Sequence, residues 1–180
     1  MTNKLNFDGC NKLMIVAHPD DETFWGGYEL LTKGYFVVCV TNGYKPKRKA
    51  DFLKVLQISG NKGVILDFKD TLCLKKFKAQ ETEIKKVLQE IISSKTWDKI
   101  VTHSPSGEYG HIHHKLISRW VTELYQGKTS YFNYHNRFYF WFHKSTVSKQ
   151  QKAQKKQLIA VYKKSQLIAT WWFKYSLNIL

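Results

Sequence analysis

Two short stretches of the chain hold residue types suited to hydrolytic chemistry. The first is His18-Pro19-Asp20-Asp21-Glu22, one imidazole and three carboxylates within five positions. The second is Tyr109-Gly110-His111-Ile112-His113-His114, with three imidazoles in four positions. Neutral imidazole and carboxylate are the usual N/O donors for zinc and other divalent ions. A catalytic zinc takes about three protein donors and keeps one position open. Two donors from one stretch and one from the other would meet that need. Neighbouring loop side chains point in different directions, so they divide the roles. If Asp21 binds the ion, Asp20 is left to act as a general base, which must not itself be tied up by the metal. His111 and His114 stand three apart at the start of a predicted helix and can face one pocket. One would then be on the metal and the other beside a substrate carbonyl. Taken singly, each feature has an ordinary explanation. His18 can be a hydrogen-bonded histidine, Asp20 and Asp21 a helix cap and first-turn acids, and the histidine cluster an incidental metal-binding tract.

The elements that must position these residues favour a common site. Residues 12–17 (KLMIVA) read as a buried strand, 35–41 (YFVVCVT) as a second, 63–68 (GVILDF) as a third and 99–102 as a short fourth. Between them, a helix is expected to start near residues 28–32. Residues 48–59 suit a helix ended by Gly60, and 81–93 one with Ile84, Val87, Leu88, Ile91 and Ile92 on a single stripe. A further helix is expected over 114–125. Strands alternating with helices imply βαβ units and a largely parallel sheet, an α/β, Rossmann-like three-layer sandwich. In such sheets ligands bind beyond the carboxyl ends of the strands. Residues 18–22, 41–43 and 103–114 each follow a predicted strand directly. Further on, 131–142 is aromatic-rich and reads as one or two strands, and 148 to about 172 as a helix.

Composition bounds the rest. The chain has 180 residues, 29 Lys+Arg against 14 Asp+Glu (net +15), and 43% hydrophobic residues. That describes a globular chain, neither disordered nor collagenous. One domain over 1–180 is expected, with a motif-bearing core at about 12–125 and an aromatic, basic part at 126–180. No apolar run approaches the roughly 18–20 residues of a membrane span. Residues 1–7 lack the apolar core of a secretory signal. Cys10, Cys39 and Cys73 are odd in number and widely spaced, which points to a reducing compartment. The expectation is a soluble cytoplasmic protein. After Glu123 no acidic residue occurs, and ten basic ones follow. Such charge either solvates an outer face or attracts an anion: a phosphorylated small molecule, an acidic glycan, a membrane surface or nucleic acid.

AHPDDETFWGG (17–27) resembles the signature of the LmbE-like, or PIG-L-like, zinc-dependent de-N-acetylases, and YGHIHH (109–114) resembles their second motif. Weaker features follow in order: Thr41-Asn42-Gly43, then Arg48, Asp51 and Gly60, then Lys156 with Ser165-Gln166. The resemblance implies that His18, Asp21 and His114 bind Zn2+ and that Asp20 is the general base. It implies that His111 stabilises an oxyanion or protonates the leaving amine, with Tyr109 assisting. The reaction implied is hydrolysis of an N-acetyl group from an amino sugar, typically N-acetylglucosamine in a conjugate, and the basic last third favours a phosphate-bearing one. Fe2+ or Co2+ would also suit the donor set.

One departure stands out. Family members often have Pro-Asp between the two histidines of the second motif, where this chain has Ile112-His113. His113 cannot supply that carboxylate and could itself compete for metal. Two other readings also fit the sequence. One is a basic binding module for nucleic acid or an anionic surface, supported by the charge and by the aromatic residues of 131–142. The other is a metal amidase acting on another conjugate.

Overall fold

The protein is described by a computed structural model that covers residues 5–132 and 147–162. Five strands form one sheet: β1 (Lys12–Val16), β2 (Tyr35–Thr41), β3 (Lys62–Phe68), β4 (Lys99–Thr102) and β5 (Thr129–Tyr131), in the order β3-β2-β1-β4-β5. Every pairing is parallel. The helices are α1 (Asp21–Phe24), α2 (Gly27–Leu30), α3 (Pro46–Ser59), α4 (Leu74–Lys78), α5 (Glu81–Ile92), α6 (Ile112–Leu124) and α7 (Lys149–Val161). This is the expected α/β sandwich with a parallel sheet.

Strand periodicity divides the core in two. Successive side chains of β1 point to opposite faces. Leu13 and Ile15 pack with Ile84, Leu88 and Ile91 of α5 and with Ile117, Trp120 and Val121 of α6. Met14 and Val16 pack with Phe24, Leu30, Phe52, Val55, Leu158 and Ile159 on the other face. Because β1 is covered on both sides, its run from Leu13 to Val16 is apolar without alternation.

Several details depart from the sequence reading. The second-motif helix begins at Ile112, with His111 as its N-cap. The five-residue α4 was not foreseen: it is basic, and only Phe77 is buried. Of the aromatic strands expected at 131–142, β5 ends at Tyr131, and 133–142 lies outside the described residues. The late helix is described through α7, where Ser148 and Gln151 form a capping box. Ser165 and Gln166 lie beyond the described residues. Of the lysines in α7, Lys155 is buried and Lys156 is exposed. Among the described residues no helix is long and apolar enough to cross a membrane.

Candidate active site

The chain runs outward from β1 through β2 to β3, then returns to place β4 on the other side of β1. That reversal opens a crevice at the carboxyl ends of β1 and β4, the switch point where such sheets bind ligands. Residues 18–22 leave β1 into it, and residues 103–111 leave β4 into it from beside them.

Three donor atoms converge there. His18 Nδ1 is 3.1 Å from Asp21 Oδ2, His114 Nε2 is 3.3 Å from the same oxygen, and the two nitrogens are 3.4 Å apart. Three ligands of a tetrahedral zinc, at bonds of about 2.0–2.1 Å, stand about 3.3–3.4 Å from one another. All three residues are buried. Donor chemistry and spacing together fit one divalent ion, held by two nitrogens and one oxygen.

The surrounding hydrogen bonds fix how these groups present themselves. His114 Nδ1 is 2.6 Å from Glu108 Oε2. A carboxylate only accepts, so Nδ1 carries the proton and Nε2 faces the donor group. Asp21 Oδ1 accepts from Trp25 Nε1 at 3.2 Å, and its Oδ2 accepts from the His18 backbone N–H at 2.8 Å. His103 packs face to face on His114, with centroids 3.8 Å apart. Its Nε2 accepts from the Ala17 N–H at 3.0 Å, so its proton is on Nδ1 and is donated to Glu108 at 3.1 Å. The 3.4 Å approach of His103 Nε2 to Asp21 is therefore not a ligand contact, because that lone pair is already used.

Among the described residues two further sets, His18 with His111 and His113, and His103 with Glu108 and His114, also bring donor atoms within 4.8 Å of one another, and Asp20 belongs to none of the three sets. Its backbone is left-handed, with φ 118, a conformation that costs energy in a residue with a Cβ. The surroundings over-determine it. Its N–H donates to Glu22 Oε2 at 2.9 Å, and its carbonyl accepts from Thr23 N, Phe24 N and Thr23 Oγ1. Arg48 Nη2 donates to the Pro19 carbonyl at 2.7 Å and lies 3.8 Å from Asp20 Oδ1. That gives the Arg48 of the weaker sequence pattern a role in shaping this loop.

His111 accepts the His113 N–H on Nδ1 at 3.3 Å, so its proton is on Nε2. Its ring centroid is 4.9 Å from that of His18 and 4.5 Å from that of His114. Tyr109 is partly exposed at the mouth, its ring 5.6 Å from His111 and 5.7 Å from Trp25. His113 is buried and stacks on Phe77 at 3.8 Å.

Electrostatics follow the same geometry. Burial would raise the Asp21 carboxyl, but His114 and its neighbouring imidazoles outweigh burial and hold it well below the usual carboxylate range. Burial is likewise overcome at Glu108, which His103 and His114 hold at about 2. Burial disfavours charge on His114, yet Asp21 and Glu108 hold it at about 10. The proton they retain on Nε2 is the one a cation would displace. Burial, with His114 and His18 nearby, pushes His111 down to about 3. Burial raises the Tyr109 phenol, so it stays a donor at neutral pH.

The structure thus brings His18, Asp20, Asp21, Tyr109, His111 and His114 to one crevice. The sequence reading missed Glu108 and Trp25. Glu108 lies immediately before the second motif, but its pairing with two imidazoles needs the fold to bring residues 103 and 114 together.

Residues 13–125, more than half of the chain, match the family model described as PIG-L, GlcNAc-PI de-N-acetylase. The chain belongs to the PIG-L family. It is 28% identical over 156 residues to the uncharacterized protein L374 of Acanthamoeba polyphaga mimivirus, covering 77% of this chain and 65% of that protein, so it spans just under two thirds of that relative's length. Solved structures sharing the PIG-L fold include N,N'-diacetylchitobiose deacetylase from Pyrococcus horikoshii (TM-score 0.69, 16% identity, covering 94% of this chain and 77% of that one). A deacetylase of the teicoplanin biosynthetic pathway also matches (TM-score 0.65, 14% identity, 84% and 81% covered). So does the 4-carboxy-2-hydroxymuconate hydratase GalB from Pseudomonas putida KT2440 (TM-score 0.59, 15% identity, 92% and 84% covered).

Proposed function

We propose that the protein is a metal-dependent de-N-acetylase that hydrolyses the N-acetyl group of an amino sugar or its conjugate, with N-acetylglucosamine the leading candidate. The observation that carries this reading is the His18, Asp21 and His114 donor group with Asp20 beside it but outside it. These three residues would hold Zn2+, and the same donor set accepts Fe2+ or Co2+. The ion, when bound, would polarise the amide carbonyl and make water acidic enough to attack near neutral pH.

The chain's own residues supply the proton transfers. Asp20 takes the proton of the attacking water as general base. His111 presents Nε2–H as a neutral hydrogen-bond donor. Its low proton affinity favours stabilising the carbonyl oxygen as charge develops there over acting as an acid. The Tyr109 hydroxyl, protonated and at the mouth, supports the same oxygen. Asp20 then delivers its proton to the amide nitrogen as the C–N bond breaks. Acetate leaves with the oxygen of water, and the sugar leaves as a free amine.

The test is acetate release from a panel of neutral and phosphate-bearing N-acetylglucosamine conjugates, comparing metal-loaded protein, chelated protein and Asp20→Asn. Acetate is the product to read because a hydratase shares the fold. Release should require the ion, and Asp20→Asn should lower kcat by about 10²–10⁴ with the thermal midpoint retained. Tight binding of one ion with no acetate from any conjugate would move the function to another amide. Steep salt-dependent binding to generic nucleic acid without hydrolysis would favour the binding-module reading.

A further inference from the structure

His18 and His114 each need one ring nitrogen free of a proton if both are to hold a cation. For His114 the Glu108 carboxylate fixes this. The Asp21 carboxylate faces His18 Nδ1 at 3.1 Å, but no carboxylate takes a hydrogen bond from its Nε2. Its Nε2 is 3.6 Å from Asp70 Oδ1, beyond hydrogen-bond length. It is 3.0 Å from His113 Nδ1 instead.

The direction of that hydrogen bond follows from the next one. His113 Nε2 lies 3.0 Å from the Thr71 carbonyl oxygen. A carbonyl only accepts, so the His113 proton is on Nε2 and its Nδ1 offers a lone pair. His18 must then donate from Nε2. That makes His18 Nδ1, 3.1 Å from Asp21 Oδ2 and 3.4 Å from His114 Nε2, the nitrogen left to a cation, which would displace any proton held there toward Asp21. The stack on Phe77, with an interplanar angle of 16°, holds the His113 ring in the plane these two bonds require.

We propose that His113 is a positioning residue for the metal centre: relayed from the Thr71 carbonyl, it locks His18 in the tautomer that presents Nδ1 to the cation. This rests on the reading that His18, Asp21 and His114 hold a divalent ion. The residue that breaks the family's usual Pro-Asp pattern is thereby given work as a neutral acceptor. A second ion among His18, His111 and His113, whose ring nitrogens also lie within 4.8 Å of one another, is the competing arrangement. It would require His18 to give up both ring protons, whereas the 3.0 Å contact needs only an ordinary hydrogen bond.

The test is Co2+ binding to metal-stripped protein by calorimetry, with the visible spectrum of the Co2+ form as a second readout. His113→Phe keeps a ring on Phe77 and removes the acceptor. His113→Asn keeps an acceptor oxygen near the place of Nδ1. His113→Leu is the second acceptor-free variant should the Phe protein fail to fold. Wild type should bind one ion per chain. His113→Phe should bind about 10–100-fold more weakly, the range for losing such an orienting partner, with an altered spectrum. His113→Asn should recover to within about threefold of wild type. Equal affinity and spectrum in His113→Phe would overturn the assignment, as would an Asn variant as weak as the Phe variant. Two ions in wild type with one lost in His113→Phe would make His113 a ligand instead. Failure of wild type to take up any ion would overturn the metal centre itself, and this assignment with it.

Discussion

At the scale of single residues, the site depends on one carboxylate that accepts from three donors. Glu108 Oε2 receives from His103 and His114, while its Oε1 takes the Ser104 N–H at 2.8 Å. Glu108 also has φ 57 in the left-handed region, so both its backbone and its side chain are committed to this arrangement. Glu108→Gln leaves one acceptor oxygen where two are used and turns an amide N–H toward a donor. We expect metal affinity to fall by about 10–100-fold and stability to fall by about 1–3 kcal/mol, read by chelator competition and chemical denaturation. Of this site, the sequence showed the residues that sit inside the two motifs, because a run of imidazoles and carboxylates is a local signal. Residues that act across the fold left no such signal. Trp25, which reaches the Asp21 carboxylate four residues back, reads in sequence as one more apolar residue.

At the scale of elements, the strained loop after β1 is braced from the far end of the chain. Glu22 is fully buried on α1. Its Oε2 holds the Asp20 N–H, and its Oε1 accepts from Tyr162 Oη, directly after α7, at 2.6 Å. Burial pushes the Glu22 carboxyl up to about 7. Tyr162→Phe removes one donor from this carboxyl without changing the packing volume. Stability should fall by about 1–3 kcal/mol, and kcat for acetate release should fall by about tenfold with KM little changed. Unchanged kcat with the same stability loss would reduce α7 to a packing element. The helices with a clear apolar stripe, such as α5, were legible because one face meets the sheet. The five-residue α4 was not, since one buried Phe77 gives no periodicity to read. The link from Tyr162 to Glu22 spans 140 positions, and only the sandwich brings these two residues together.

At the scale of the whole molecule, the excess of positive charge is not all on the surface. Lys155 is fully buried. Its ammonium lies 4.5 Å from the centroid of the Tyr28 ring, a cation–π distance. Its stem runs against Gly27, where an added Cβ would come within 2.9 Å of Lys155 Cε, so the second glycine of the first motif leaves room for it. Burial pushes this lysine down to about 7 from an ordinary 10.5. Between those values the unfolded chain binds a proton that the folded chain does not. Stability therefore rises with pH across that window, while below about 7 the cost of the buried charge is present in full. Lys155→Met keeps most of the stem and removes the titration. The variant should be more stable than wild type near about pH 6, and its advantage should shrink as the pH approaches about 9. At about 1.4 kcal/mol per unit of displaced pKa, the two unfolding free energies should converge by a few kcal/mol. Denaturant titrations of both proteins across that range measure the difference directly. Parallel pH profiles would mean that Lys155 keeps its proton in the folded chain, and its charge would then belong to the field the protein presents to anions.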